Sequence, residues 1–169
     1  MNDSISRNEV DDRDYRRIMT FVYDEADLFD DGEYATWLER LTPDIRYKMP
    51  VRGVFEKGRE KKQKFDNGFF DDDFDSLALR ISLWSQASTT VAESPPSITR
   101  HFVSNVRAYQ GEVAGSFEVT SNVLVFRIRA TSSTPHLFSC RRTDLLREVD
   151  GELKLASRLV KKDEPVVQS

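Results

Sequence analysis

Cysteine occurs once in these 169 residues, at Cys140, and histidine twice, at His101 and His136. One cysteine excludes an intrachain disulfide and any cysteine-ligated iron-sulfur cluster held by this chain alone. It also agrees with a reducing compartment. A two-histidine, one-carboxylate iron site is allowed by count. His101 and His136, however, fall on different expected strands, without the spacing of a helical ligand pair. No apolar run approaches the roughly 20 residues of a membrane helix, and MNDSISRNEVDDRD has neither the basic start nor the apolar centre of a secretory signal. The expectation is a cytoplasmic protein with no membrane partner. A basic excess is missing as well: the formal net charge is −4, which offers no electrostatic reason to bind a phosphate backbone, so nucleic acid is not expected as a partner. GEVAGSF lacks the lysine and spacing of a phosphate loop, and no GxSxG elbow is present.

What remains is enough to build a core. The chain is 38% hydrophobic and contains eleven Phe, which suits one domain over residues 11–163, between a polar leader (1–10) and a short tail (164–169). Tyr15, Ile18, Met19, Val22, Ala26 and Phe29 recur at helical spacing, with acceptors at Asp11 to Asp14 for the start and Gly32 for the stop. Tyr34, Trp37, Leu38 and Leu41 predict a second, shorter helix ended by Pro43. Ile45, Tyr47 and Met49 alternate with charged residues, so a first strand is expected up to about Val51. EKGREKKQKFDNGFFDDD reads as a long exposed connection, with Phe65, Phe69 and Phe70 available for docking. Asp73 then caps a third helix carrying Phe74, Leu77, Ala78, Ile81, Trp84 and Ser88 on one face. Pro95-Pro96 forces a change of element.

Beyond the prolines the pattern is strand: Thr99 to Tyr109, Gly115 to Ala130, Pro135 to Val149 and Glu152 to Val160, the last two joined by an Asp150-Gly151 turn. Segments this long must twist and bend, with Gly111 or Gly115 as expected bulge sites. Helices followed by an antiparallel meander make an α+β domain in which the sheet curls around the first helix. Val123 and Val125 face one side of the longest strand while Leu124, Phe126 and Ile128 face the other, so the outer face calls for a cover.

The candidate chemistry centres on His101. As a general base it would be oriented by Asp44 or Asp24, with Tyr47 or Tyr109 donating to an oxyanion, the arrangement of a stand-alone dehydratase or isomerase. As a structural or interface residue it would hold a hydrogen bond beside Arg100. Arg141 and Arg142 read as exposed sheet cations or as an ion-pairing surface for a partner. His136 is expected in a loop and Cys140 as a small strand filler.

Three segments carry a resemblance: DEADLFDDGEYATWLERLTPDIRYKMPVR (Asp24 to Arg52), VAESPPSITRHFVSNV (Val91 to Val106) and CRRTDLLREVDGELKLASRLVKKDE (Cys140 to Glu164). In this order and spacing the chain resembles the small, or beta, subunit of aromatic-ring-hydroxylating dioxygenases. The acidic residue, two prolines and serine before Arg100-His101 and Ser104-Asn105 match that family's signature. Val91 and Ile98 stand where the family commonly has Trp and Arg. The resemblance implies a cystatin-like, or nuclear-transport-factor-2-like, cone, with N-terminal helices packed on a long, strongly curved, mixed but mostly antiparallel sheet. It implies a non-catalytic subunit without cofactor or metal of its own. The Rieske [2Fe-2S] cluster and mononuclear non-heme iron would lie in an alpha subunit, three of which sit on a beta trimer. A reductase, with or without a ferredoxin, would supply electrons. Arg100, His101, Arg141 and Arg142 are then expected at subunit contacts.

Overall fold

The Asp11 side chain accepts from the backbone N–H of Asp14 at 2.8 Å and opens helix α1, Asp12–Asp30. Acidic Asp12 and Asp14 in the first turn complement the helix dipole. Its end is a Schellman turn: the N–H of Glu33 reaches the carbonyl of Leu28, that of Gly32 reaches Phe29, and Gly32 takes φ +76°. The computed structural model describes residues 8–50, 70–87, 97–129 and 132–163. In it, α2 (Tyr34–Leu38), β1 (Leu41–Met49), β2 (Phe70–Asp72), α3 (Phe74–Ala87), β3 (Ile98–Gln110), β4 (Ser116–Ile128), β5 (His136–Val149) and β6 (Glu152–Lys162) follow α1. The Pro95-Pro96 switch, Val91, Phe65, Phe69, Ser88, the leader's first seven residues and the tail lie outside the described residues.

One six-stranded sheet runs β2-β1-β6-β5-β4-β3, with β1 parallel to β6 and every other pair antiparallel. The four expected long strands match β3 to β6 to within two residues at each end, because period-2 alternation and turn chemistry agree there. Asp150 and Gly151 both take positive φ, 52° and 84°, as a two-residue hairpin of the right twist requires. Ile18, Phe21 and Val22 of α1 pack with Trp37, Phe117, Val119, Leu146 and Leu155 against the sheet's inner face. A second apolar cluster, Val123, Val125, Cys140 and Val160, sits further along the same face. Cys140 is the expected strand filler, and burial, partly offset by Arg142 and Arg158, raises its thiol pKa and keeps it in the unreactive form.

Three expectations need correction. The second helix stops at Leu38, and Leu41 and Pro43 belong to β1. Leu41 pairs with Leu155, and the N–H of Leu155 bonds to the carbonyl of Arg40, so tertiary pairing captures Leu41. The missing N–H of Pro43 falls in the register break between Leu41 and Arg46. Strand β2 arises within the acidic run, where Asp72 pairs with Tyr47. The bulges are not at Gly111 or Gly115, which serve the β3–β4 reversal. In β3, Asn105, at φ 52°, and Val106 together oppose Ser121, and in β6 Ala156 is the extra residue between Leu155 and Ser157.

Substituting Gly151→Ala forces a Cβ into left-handed backbone. The expected loss is about 1–2 kcal/mol of unfolding free energy, read as a lower urea midpoint with unchanged slope.

Candidate functional site: a buried charge network and an outward arginine face

Inner positions alternate along β5 as Cys140, Arg142, Asp144 and Leu146, and along β6 as Leu155, Arg158 and Val160. Three charged groups of these strands, Arg142, Asp144 and Arg158, therefore point into the cone between the two apolar clusters, and α1 adds a fourth. Glu25, on the buried stripe of α1, accepts from Arg158 Nη1 (2.9 Å) and Nη2 (2.7 Å), from Arg142 Nη1 (2.9 Å) and from the Trp37 indole (2.8 Å). Arg158 turns its Nε and Nη2 to Asp144, both at 2.8 Å. Arg142 Nε reaches Ser121 Oγ at 3.3 Å, and its Nη2 is buried without a protein partner. Two carboxylates and two guanidiniums make the set formally neutral.

Burial alone would raise the Glu25 carboxyl, but Arg158 and Arg142 hold it down at about 2. Burial would likewise lower Arg158, whereas Asp144 and Glu25 raise it well above its ordinary value. Tyr47 is raised by burial, an effect that Arg158 and Arg142 oppose; the Arg158 guanidinium lies 5.9 Å from its ring centroid. Glu25, Arg158 and Tyr47 are therefore each held away from proton exchange near neutrality.

His101 lies elsewhere, on the edge strand β3. Its backbone N–H donates to both oxygens of Asp30 (3.0 and 3.1 Å), and its Nδ1 lies 2.6 Å from Asp30 Oδ1. Arg100 Nη1 is 3.5 Å from the same carboxylate, and the Phe29 ring packs 5.5 Å from the imidazole. Asp30 is thus the partner that orients His101, in place of the expected Asp44 or Asp24. Asp44 pairs with Arg147, and Asp24 with Arg40. Tyr109 pairs in register with Glu118, on the opposite face from Tyr47. Among the described residues, no hydrogen bond or ring contact joins His101 to Tyr47 or Asp44, so the catalytic trio of the dehydratase reading is not assembled.

Arg142 requires the sharpest revision: it is buried, at 6% exposure, and cannot be an exposed sheet cation. Its neighbour Arg141 is exposed on the outer face, as is Arg100. His136 is the exposed first residue of β5, paired in register with Arg127. Among the described residues, no three His, Cys, Asp or Glu side chains are grouped to hold a metal. A Rieske cluster takes two cysteines and two histidines, so the single Cys140 does not fit one. Glu25, Asp30, Asp144 and Arg158 escaped sequence reasoning. Glu25 gave a signal, because it falls three and four residues after Val22 and Phe21 on the apolar face of α1.

The outer face of β3–β5 is apolar and ringed by cations. Phe102, Leu124 and Ser139 form one cross-strand row, and Arg100, Phe126 and Leu137 the next. Beside them, Asn105, Arg107, Thr120, Asn122 and Arg141 line a groove of about 500 Å³ at the β3 bulge.

Comparison with known proteins bears on what such a face is for. The family model described as the ring hydroxylating beta subunit matches residues 24–169. The chain is 31% identical over 165 residues to the beta subunit of biphenyl 2,3-dioxygenase from Rhodococcus jostii strain RHA1, covering 95% of this chain and 87% of that protein. Its fold is similar to a chain of naphthalene 1,2-dioxygenase with indole bound in the active site: the TM-score is 0.77 at 24% identity, covering 89% of this chain and 79% of that one. The beta subunit of benzoate 1,2-dioxygenase from Burkholderia mallei gives a TM-score of 0.72 at 19% identity, covering 92% and 93%.

Glu25→Gln leaves two buried guanidiniums facing one carboxylate, and should cost about 3–5 kcal/mol in urea unfolding. The folded Glu25 carboxyl sits below its ordinary value of 4.5. Its contribution is therefore complete above that pH and lost as the pH falls toward 2. The wild-type urea midpoint should drop across that window, and the Glu25→Gln midpoint should drop less.

Proposed function

This chain belongs to the beta-subunit family of aromatic-ring-hydroxylating dioxygenases, and from that premise we propose that it is the scaffold of a hexamer of three alpha and three beta subunits. It is a nuclear-transport-factor-2-like α+β protein, folding as one domain over residues 11–163, and part of an oxidoreductase complex whose catalysis lies in the alpha subunit. The alpha subunit carries the Rieske [2Fe-2S] cluster and the mononuclear non-heme iron, and a reductase, with or without a ferredoxin, delivers electrons to it in the cytoplasm. The beta chain orders the alpha subunits so that one subunit's cluster faces its neighbour's iron, a contribution of position to a reaction carried out elsewhere.

The observation that carries this reading is the distribution of the arginines. Arg142 and Arg158 are engaged by Glu25 and Asp144 inside the cone. Arg100 and Arg141 instead project from an apolar outer face suited to another protein. His101, fixed by Asp30, supports that face by holding Arg100's segment of β3 to the end of α1.

Co-expression with the large subunit encoded nearby should yield a single complex that binds iron and hydroxylates an aromatic ring; two proteins that never co-purify would sink the reading. Arg141→Ala should weaken assembly while leaving the unfolding free energy within about 0.5 kcal/mol of wild type. His101→Ala should weaken assembly by loosening Asp30. Unchanged assembly and turnover in that variant would remove His101 from the contact set.

A further inference from the structure

The bulge in β3 decides where Arg107 points. Ser104 pairs with Asn122 and Arg107 with Thr120, so three steps along β3 span two along β4, and Asn105 with Val106 takes up the difference. Side chains alternate between faces along a strand. In a regular register, position 106 would stand beside Thr120 on the outer face and Arg107 would turn inward. The extra residue reverses this: Val106 packs against the inner core, and Arg107 is exposed on the outer face. On the other side of β4, Arg141 pairs with Asn122 and is exposed on the same face. The two guanidiniums thus flank Thr120 and Asn122 from β3 and β5, strands about 10 Å apart. With Asn105 they line the groove of about 500 Å³ at the bulge.

Arg40, Arg80, Arg100 and Arg147 each meet a carboxylate of this chain. Among the described residues, no carboxylate or hydrogen-bond acceptor meets the side chain of Arg107 or Arg141. Glu118, one row along on the same face and paired in register with Tyr109, forms no ion pair with Arg107. Asp163, just past β6, accepts from Ser139 Oγ at 2.6 Å. Exposed Lys161, in register with Arg141, adds further positive charge.

We propose that this groove is an oxyanion site, in which Arg107 and Arg141 grip one phosphate or carboxylate group from opposite sides. A planar guanidinium donates two parallel N–H groups to two oxygens of such a group, and charge-assisted bonds of this kind are stronger than neutral ones. Between the guanidiniums, the Thr120 hydroxyl and the Asn122 amide supply donors for the remaining oxygens. Two like charges over one groove repel each other, and an anion seated between them turns that repulsion into attraction. Ser121, the inward residue between Thr120 and Asn122, accepts from Arg142 Nε at 3.3 Å. The strand beneath the groove is therefore tied to the buried network, and little ordering is left for binding to impose. The oxyanion comes either from solution, as a free anion, or from an Asp or Glu side chain of an associated subunit. The site depends on the groove alone and stands apart from the dioxygenase reading.

The probe is inorganic phosphate, whose phosphorus NMR line broadens when it binds the full-length chain at constant ionic strength. The wild type should bind it with a Kd on the order of 1 mM. Arg107→Gln and Arg141→Gln should each weaken binding by at least about tenfold. Both side chains are exposed, so each variant should keep the wild-type circular dichroism spectrum and urea midpoint. Arg13→Gln removes the same charge from the exposed side of α1 and should bind phosphate as the wild type does. No binding by the wild type, binding that survives in both groove variants, or an equal loss in Arg13→Gln overturns the proposal. Adding the large subunit separates the two sources. Phosphate that competes with its capture and no longer broadens in the complex assigns the oxyanion to a subunit carboxylate; broadening that persists in the complex assigns it to a free anion. A chain that binds phosphate but never captures the large subunit would refute the dioxygenase reading and leave the site standing.

Discussion

Four charges buried beneath one helix are the constraint on which the rest of the structure depends. Taking Glu25, Asp144, Arg142 and Arg158 out of water costs several kcal/mol per ion, and only close mutual pairing offsets it. The partners come from α1, β5 and β6, with Trp37 of α2 and Ser121 of β4 adding a donor and an acceptor. Each element is therefore held to its neighbours by a contact that tolerates no sliding. Moving β5 or β6 by one residue would turn Arg142, Asp144 or Arg158 to the outer face and leave the remaining charges unpaired inside. Leucines in these positions would pack as well but specify the register less sharply. The bulge at Ala156 belongs to the same requirement. It shifts the phase of β6 so that Leu155 below it and Arg158 above it both face inward.

A second constraint acts at the sheet's free edge. The end of α1 is an unfavourable place for a carboxylate, since the helix dipole is negative there. Asp30 is nonetheless almost fully buried, its side chain only 4% exposed. The edge strand compensates by supplying His101's N–H and Nδ1 along with the Arg100 guanidinium. One ionic contact thus closes the top of the cone and satisfies a backbone donor that would otherwise invite another strand. The bulge at Asn105 and Val106 breaks the same edge in its middle, and the residues before α1 cover its lower end. With the β3 edge occupied, the outer face of β3–β5 is the exposed apolar surface on this side of the sheet.

These constraints explain what was legible in the sequence. Long strands with strict alternation, and the Asp150-Gly151 turn, come through because local and tertiary preferences agree. Leu41 misleads because its spacing from Trp37 and Leu38 suits a helix, while its actual partner, Leu155, is more than a hundred residues away. The three residues of β2 carry no periodicity long enough to see. Arg142 misleads for a different reason. Read on its own strand it resembles its exposed neighbour Arg141, and only the convergence of Glu25 and Arg158 from other elements makes an inward arginine affordable. Resemblance located the family because whole segments such as CRRTDLLREVDGELKLASRLVKKDE hold their order. Residue roles within those segments depend on which face each position takes, and a bulge two strands away can change that.

The same network bears on why a cone fold can serve without a catalytic centre. A working interior needs a group whose proton is easily gained and lost, and an open valence where a substrate can bind. Here Glu25 is held ionised by two guanidiniums, Arg158 is held cationic by two carboxylates, and burial disfavours the Tyr47 phenolate. The Asp30–His101 pair is drawn to the edge, with Phe29 against its ring. The interior therefore stabilises one arrangement of strands. The network reaches the outer face through β5, whose inward Arg142 and Asp144 alternate with outward Leu137 and Arg141, and through Ser121 of β4, whose strand turns Leu124 outward. A charged core that fixes those two strands also fixes the spacing of the surface they present.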